Sequence, residues 1–189
     1  MKTRLLSVTS EADMQEAAKI IADGGLVAFP TETVYGLGAD ALNARAVGSV
    51  YDAKGRPSDN PMIVHVCRAD DLKRIYDLDK LPQQNQNQIR ALTEKFWPGP
   101  ACVPDRTTGG LETVAVRMPD SQVALDLIRQ SGCPIAAPSA NISGRPSPTR
   151  AKDVVADMDG RIEAIFMGGD CQVGIESTVL DMTGDTPTI

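Results

Sequence analysis

Residues 10–30 read SEADMQEAAKIIADGGLVAFP, a helix pattern followed directly by a strand pattern. Ser10 and Asp13 resemble a capping box, in which side chains satisfy the free amides in the first turn of a helix. The apolar residues behind them recur at helical spacing up to the glycine pair at 24–25, and they are Met14, Ala17, Ala18 and Ile21. The apolar run at 26–29 then predicts a short buried strand. A helix that leads into a buried strand is typical of α/β domains.

The same alternation continues to the end of the chain. Apolar spacing predicts helices at 45–53, 71–76, 89–96 and 123–131, and another from about 149. Short apolar or alternating runs predict strands at 62–66, 113–117, 135–137, 162–167 and 178–181. Neither an internal repeat nor a linker divides the chain, so we expect one α/β or α+β domain over residues 1–189.

The composition is that of a globular protein, because 42% of the residues are apolar and 23% are charged. No run approaches the roughly 18 apolar residues of a membrane helix, and residues 1–10 lack the longer apolar region of a signal peptide. We therefore expect a cytoplasmic protein with no membrane partner. His65 is the only histidine, and the sequence contains no CxxC pair. The sequence accordingly predicts no protein metal site.

The net charge of −6 argues against a general nucleic-acid binder, which is expected to be basic. Basic residues nevertheless concentrate in motif-like segments, and they are Lys54, Arg56, Arg117, Arg145 and Arg150. If the fold gathers these residues in one cleft, a small anionic ligand such as a nucleotide is the expected partner.

Four polar, turn-rich motifs lie beside predicted strands, which is where open α/β sheets place their ligands. They are PTETVYGLG at 30–38, KGRPSDNP at 54–61, PSANISG at 138–144 and GIEST at 174–178. Each motif alone could be a structural turn. Together they supply two cations with several hydroxyl and amide groups, which suits phosphate oxygens and a small zwitterion.

Several common catalytic patterns are absent from the sequence. It has no Walker A motif and no G-x-S-x-G elbow. His65 has no obvious nucleophile partner, and its place at the end of a predicted strand fits either a ligand contact or a buried, hydrogen-bonded core residue. The motifs therefore favour an enzyme that positions its substrates and neutralises charge, without covalent catalysis.

The chain resembles the YrdC-like threonylcarbamoyl-adenylate synthases, also called TsaC. The runs that carry the resemblance, in order, are PTETVYGLG, KGRPSDNPMIVHV, WPGP, TVAVRMP, APSANISGRPSPT and GIESTV. The resemblance covers nearly the whole chain. The chain is more similar to the longer branch of the family, whose members add a C-terminal domain. The resemblance implies a twisted mixed sheet flanked by helices, with a large concave cleft.

The resemblance also implies an activity, in which L-threonine, bicarbonate and ATP, with Mg²⁺, give threonylcarbamoyl-AMP and pyrophosphate. The product would serve downstream threonylcarbamoyl transferase proteins that form N6-threonylcarbamoyladenosine in tRNA. The threonine-binding residues that it implies are Thr33, His65, Arg117, Ala137 and Ser177. The ATP-binding residues that it implies are Lys54, Arg56, Asn60, Thr113, Ser139, Asn141 and Ser147. The family's K-x-R and S-x-N pairs, here Lys54/Arg56 and Ser139/Asn141, are the implied catalytic group.

The chemistry of these residue types agrees with the resemblance. A carbamate oxygen must attack the α-phosphorus of ATP, so cations such as Lys54 and Arg56 are needed to neutralise the phosphates. Arg117 is suited to bind the threonine carboxylate through two parallel hydrogen bonds, which lysine cannot reproduce.

Two departures from the family pattern bear on the fold and the site. Pro100 leads straight into residues 101–104, without the apolar strand that family members place after WPGP. This predicts either a lost edge strand or a gap in the sequence. The L-R-P-G segment, whose arginine helps to hold ATP in longer members, is also absent from these residues, so we expect an incomplete nucleotide site.

Two other functions remain as alternatives. One is a double-stranded RNA-binding module, against which the acidic charge and the scarcity of aromatic residues both argue, although weak RNA binding stays open. The other is a carbamoyl-adenylating domain of the hydrogenase-maturation type. Proteins of that type carry zinc-finger cysteines and an acylphosphatase-like domain, neither of which is found here.

Overall fold

The structure is a computed structural model, and it describes residues 2–57, 61–75, 78–105, 114–181 and 188–189. The α-helices in these residues are α1 (Glu11–Ala22), α2 (Ala44–Lys54), α3 (Gln83–Phe96), α4 (Gln122–Ser131) and α5 (Ala151–Met158). The strands are β1 (Arg4–Ser7), β2 (Val27–Pro30), β3 (Tyr35–Asp40), β4 (Val64–His65), β5 (Ala101–Asp105), β6 (Val114–Arg117), β7 (Ile135–Ala136), β8 (Ala164–Met167) and β9 (Thr178–Val179).

The helix and strand predicted from residues 10–30 are confirmed. The Ser10 side chain accepts a hydrogen bond from the amide of Asp13 at 3.2 Å, as a capping residue does. Gly24 follows the helix with φ +86, a conformation that costs glycine little. The predicted apolar stripe of α1 is buried, and it comprises Met14, Ala17, Ala18 and Ile21.

The described strands form a mixed sheet in the order β1-β8-β2-β3-β7-β4-β6-β5-β9. The parallel pairs are β1–β8, β2–β8, β4–β6 and β5–β9. The antiparallel pairs are β2–β3, β3–β7, β4–β7 and β5–β6. The predicted fold class, α/β with a mixed sheet flanked by helices, is therefore confirmed.

Helices cover the sheet from two sides. Helices α1 and α4 share one hydrophobic cluster with Phe29 and Ile135, while α2 and α5 share another with Tyr35 and Ile165. A smaller cluster joins α3 to β4 and β6. Among the described residues, none of the helices combines the length and the apolar character that crossing a membrane requires.

Two expectations about strands were wrong. The sequence PTETVYGLG was expected to be rich in turns, but its second half belongs to strand β3. Its glycines serve close packing, because a Cβ at Gly38 would lie 2.8 Å from both Ile135 and Phe29. For the segment after WPGP, the alternative of a lost edge strand is wrong, because β5 follows it and pairs with β6 on one side and β9 on the other.

Other bounds differ from the predictions by a few residues. The strand predicted at 62–66 is confined to β4, and the one at 135–137 to β7. The helix predicted at 71–76 is a 3₁₀ helix at Ala69–Arg74, and a second 3₁₀ helix follows at Leu78–Lys80. Strand β1 was not predicted, because only one of its four residues is buried.

The close packing at Gly38 gives a prediction for stability. Replacing Gly38 with alanine should destabilise the protein by roughly 1–3 kcal/mol, the usual cost of forcing extra atoms into a packed core. The matched control is Gly48→Ala in α2, where a Cβ would meet nothing within 4 Å. Alanine should there stabilise the helix by roughly 0.5–1 kcal/mol. Urea unfolding of both variants checks this, and an unchanged midpoint for Gly38→Ala would contradict the packing argument.

Candidate functional site

A cleft of about 180 Å³ lies where the four motifs meet. Each motif contributes to its lining, through Thr33, Arg56, Ser139 and the pair Glu176–Ser177. The floor comes from strands β4 and β6 and from the segment after β7. The volume is below the roughly 300–1,000 Å³ typical of sites for drug-sized ligands. An amino acid therefore fits inside, whereas a nucleotide would have to extend over the open rim.

Arg117, at the end of β6, carries the buried positive charge of the cleft. Its side chain is only 4% exposed. Nε donates to the carbonyl of Gly99 at 3.2 Å, and Nη1 donates to Thr33 Oγ1 at 3.2 Å and to Ser177 Oγ. These bonds use three of the five guanidinium N–H groups.

In addition to these hydrogen bonds, Arg117 forms an ion pair with Glu32. Nη2 lies 2.5 Å from Glu32 Oε2, and both side chains are buried. The contact does not have hydrogen-bond geometry, because neither Nη2 nor a Glu32 oxygen has a hydrogen-bond partner among the described residues. The ion pair with Glu32 occupies one side of Nη2, which leaves its second N–H group for a ligand carboxylate. Glu32 was not among the predicted site residues, since nothing in the motif distinguishes a buried glutamate from an exposed one.

His65, the register neighbour of Arg117 in the sheet, is a neutral group in this cleft. Its pKa is lowered to about 3, first because burial disfavours the imidazolium and second because Arg117 is a neighbouring positive charge. The ring packs edge-on against Phe29, with centroids 6.3 Å apart. Hydrogen bonds to the backbone of Ile63 and Ile135 oppose this lowering of the pKa, so the sheet holds the ring where it lines the cleft.

Residues 173–178 form a strap that is fixed to the turn after β2 and contributes to the lining of the cleft. Backbone amides of Val173 and Gly174 donate to the carbonyls of Glu32 and Thr33 at 2.9 and 3.0 Å. The next residues bring their side chains to the cleft, where Ser177 meets Arg117 as described above. Glu176 is the only carboxylate among the described residues that line it. The GIEST motif indicated this segment, but not the role of its glutamate.

Lys54 and Asn141 have their polar groups engaged within the protein. Lys54 is 2% exposed, and its Nζ donates to the carbonyls of Ser139 and Asn141 and to Asn141 Oδ1. The Asn141 amide nitrogen donates to the carbonyls of Ile142 and Arg145 at 2.9 and 2.8 Å. Neither residue belongs to the lining of the cleft.

The other predicted site residues lie at or near the rim. Arg56 and Ser139 line the cleft, and Arg56 Nη2 donates to the carbonyl of Pro61 at 3.0 Å. Ser147 donates to Glu176 Oε1. Ala137 lines the cleft, while its amide donates to Ile63 at 2.9 Å. Two predicted ATP-binding residues, Asn60 and Thr113, lie outside the described residues.

The arrangement has two chemically different ends. At the enclosed end, Arg117 offers a fixed positive charge beside Thr33, Ser177 and the neutral His65. At the open end, Arg56 offers a second cation beside Ser139. A ligand that carries a carboxylate, a hydroxyl and a linked phosphate group matches this order of charges and hydrogen-bonding groups.

Comparisons with known proteins identify relatives of the chain. The family model Sua5_yciO_yrdC, described as telomere recombination, matches residues 19–189. A threonylcarbamoyl-AMP synthase of Bacillus subtilis is 51% identical over 190 residues, covering 96% of this chain and 53% of that protein. The chain likewise spans about half the length of relatives with the same name from Pyrococcus abyssi and Schizosaccharomyces pombe.

Two solved structures are informative. Sua5 of P. abyssi in complex with L-threonine matches with a TM-score of 0.92 at 46% identity, covering 98% of this chain and 56% of that one. Full-length HypF, in a phosphate- and nucleotide-bound form, matches with a TM-score of 0.69 at 18% identity, covering 88% of this chain and 26% of that one. The second likeness shows a shared fold alone.

The buried neutral state of His65 predicts how stability depends on pH. Its pKa in the folded state, about 3, lies below the unfolded value of about 6.5. Between these values the unfolded chain binds a proton that the folded protein does not, so stability present above pH 6.5 is lost as the pH falls. Urea unfolding between pH 7.5 and 5 should show a decline approaching about 1.4 kcal/mol per pH unit.

The control for this prediction is His65→Gln. Because the sequence has one histidine, the variant should lose the decline above pH 5, where carboxylates contribute little. A wild-type free energy of unfolding that stays flat from pH 7 to 5 would mean that His65 is protonated in the folded state.

Proposed function

The chain belongs to the Sua5/YciO/YrdC family, and we propose that it catalyses L-threonylcarbamoyl-adenylate synthesis. L-threonine, bicarbonate and ATP would yield threonylcarbamoyl-AMP and pyrophosphate, which makes the chain a nucleotidyltransferase. The proposal rests on the cleft, whose enclosed end contains the buried guanidinium of Arg117 with nearby hydroxyl groups. Its open end contains a second positive charge, Arg56.

The enclosed end suits L-threonine. Arg117 would bind the carboxylate through the second N–H group of Nη2, whose other side faces Glu32. Thr33 and Ser177, already bonded to Arg117, would exchange hydrogen bonds with the substrate. The neutral His65 can both donate and accept, so it is suited to a hydroxyl group. The P. abyssi structure with L-threonine supports this assignment by similarity.

The open end suits the nucleotide. Arg56 would neutralise phosphate charge and Ser139 would donate to a phosphate oxygen. Ser147 would donate to the phosphates only after releasing Glu176, and Asn60 and Thr113 are further proposed contacts. Among the described residues, no group of three histidine, cysteine or acidic side chains could hold a metal ion. This fits Mg²⁺ that arrives on the ATP phosphates, where it would neutralise charge, since Mg²⁺ is usually bound through substrate phosphates.

The reaction needs no covalent enzyme intermediate. The threonine amine forms a bond to the bicarbonate carbon while hydroxide leaves and takes a proton from the nitrogen, which gives a carbamate and water. A carbamate oxygen then bonds to the α-phosphorus, and the bond to pyrophosphate breaks. Arg117 fixes the amino acid and Arg56 stabilises charge on the phosphates, so catalysis is by position and charge. Downstream threonylcarbamoyl transferases acting on tRNA would take the product in the cytoplasm.

Pyrophosphate release tests the proposal. The protein should release pyrophosphate from ATP only when L-threonine and bicarbonate are both present. L-valine in place of threonine should lower the rate by roughly a hundredfold or more, because a site built for a hydroxyl leaves polar groups unpaired around an analogue that lacks it.

The same assay separates the alternatives. Pyrophosphate release with carbamoyl phosphate, but not with threonine and bicarbonate, would point to a carbamoyl-adenylating domain. Salt-sensitive RNA binding without any pyrophosphate release would point to an RNA-binding module. Equal rates with valine and threonine would contradict the proposed amino-acid site.

A further inference from the structure

The two basic residues of the K-x-R motif lie in different environments, one in the protein interior and one in the cleft lining. Arg56 lines the cleft, whereas Lys54, two residues earlier at the end of α2, is buried and absent from the lining. An ammonium group has three N–H donors. Lys54 directs its Nζ to three acceptors in the segment Ser139–Asn141. A phosphate could reach Lys54 only by displacing one of these acceptors.

Hydrogen bonds also anchor this segment and the two residues that follow it, Ile142 and Ser143. The carbonyl of Lys54 accepts from the amide of Ser143 at 2.9 Å, so Lys54 holds the segment through its main chain as well. Strand β3 pairs with it through a bridge between Gly36 and Ser139. Asp157 accepts from the amide of Ile142 at 3.1 Å. Ser139 itself faces the cleft in the middle of these anchors.

We propose that Lys54 is a positioning residue, which holds the Ser139–Asn141 loop so that Ser139 is presented to ATP, without contacting ATP itself. The proposal rests on the proposed function, because it assigns the loop to the nucleotide end of the cleft. Loss of the ammonium group would leave carbonyls of a buried loop without donors, and the loop would lose its fixed position.

The charge state of Lys54 supports this role. Its pKa is lowered to about 8, first by burial and then by Arg56, while Glu176 and Asp157 oppose the shift. These are the charged groups that face the amine from the neighbouring segments. As the pH rises through 8, the amine loses a proton and one N–H donor, so the loop loses a hydrogen bond. Protection of the loop should therefore fall on the alkaline side.

A double-mutant cycle tests the assignment. Lys54→Met, Ser139→Ala and the double variant are compared by kcat/KM for ATP in threonine-dependent pyrophosphate release. If Lys54 acts through Ser139, Lys54→Met lowers kcat/KM roughly tenfold or more, and adding Ser139→Ala changes it little further. Independent losses that multiply in the double variant would overturn the proposal, since they indicate a separate contact to ATP. Calorimetric binding of L-threonine, which uses the other end of the cleft, should be retained and reports that the variants are folded.

A second measurement needs neither turnover nor a variant. Amide hydrogen exchange of residues 139–143 in the wild-type protein, corrected for intrinsic rates, is compared at pH 7 and pH 9. Protection should fall several-fold in this loop and stay constant in β2. The protonation state of the Lys54 amine is followed by NMR in the same samples, and unchanged protection of the loop once the amine is neutral would overturn the proposal, even if Lys54→Met failed to fold. If wild type releases no pyrophosphate with threonine, the proposed function fails, but the exchange result still decides the role of Lys54.

Discussion

Arginine keeps its charge at any pH at which proteins fold, so burying Arg117 obliges the fold to surround it with acceptors. Those acceptors come from distant parts of the chain. Thr33 is 84 residues away and Ser177 is 60 residues away along the chain. Glu32 supplies the countercharge. The turn after β2, the segment before β5 and the strap before β9 are therefore held together around one guanidinium. Moving that group would change the shape of the cleft at three of its sides.

A second buried cation, Lys54, has a different consequence. Arg117 has donors left over, whereas the three N–H groups of Lys54 all have acceptors within the protein. Buried charges are stable only when paired or hydrogen-bonded, so both are accounted for by their surroundings. Arg117 keeps an N–H group that can bind a ligand, whereas Lys54 fixes the position of a loop that the ligand contacts. The two residues differ in the number of N–H donors that the protein leaves unbonded.

Local patterns predicted much of the fold and less of the site. The cap at Ser10 and the helical spacing behind it were enough for α1, because both signals lie within one helix. Strand β3 was missed because Gly36 and Gly38 indicate turns locally, while their function depends on Phe29 and Ile135 from other strands. The four motifs do meet at one cleft, which the family resemblance implied and the local patterns left open. The engagement of Lys54 and the presence of Glu32 could not be predicted, since both depend on partners far away in the sequence.

The central claim is that Arg117 makes the enclosed end of the cleft a site for the carboxylate of an amino acid. Calorimetric titration with L-threonine and with L-threoninol, which lacks the carboxylate, tests it most directly. A charge-assisted hydrogen bond contributes about 1.5–3 kcal/mol, so threoninol should bind roughly ten- to a hundredfold more weakly than threonine. Equal affinity for the two compounds would contradict the account, because the buried guanidinium would then have no part in binding.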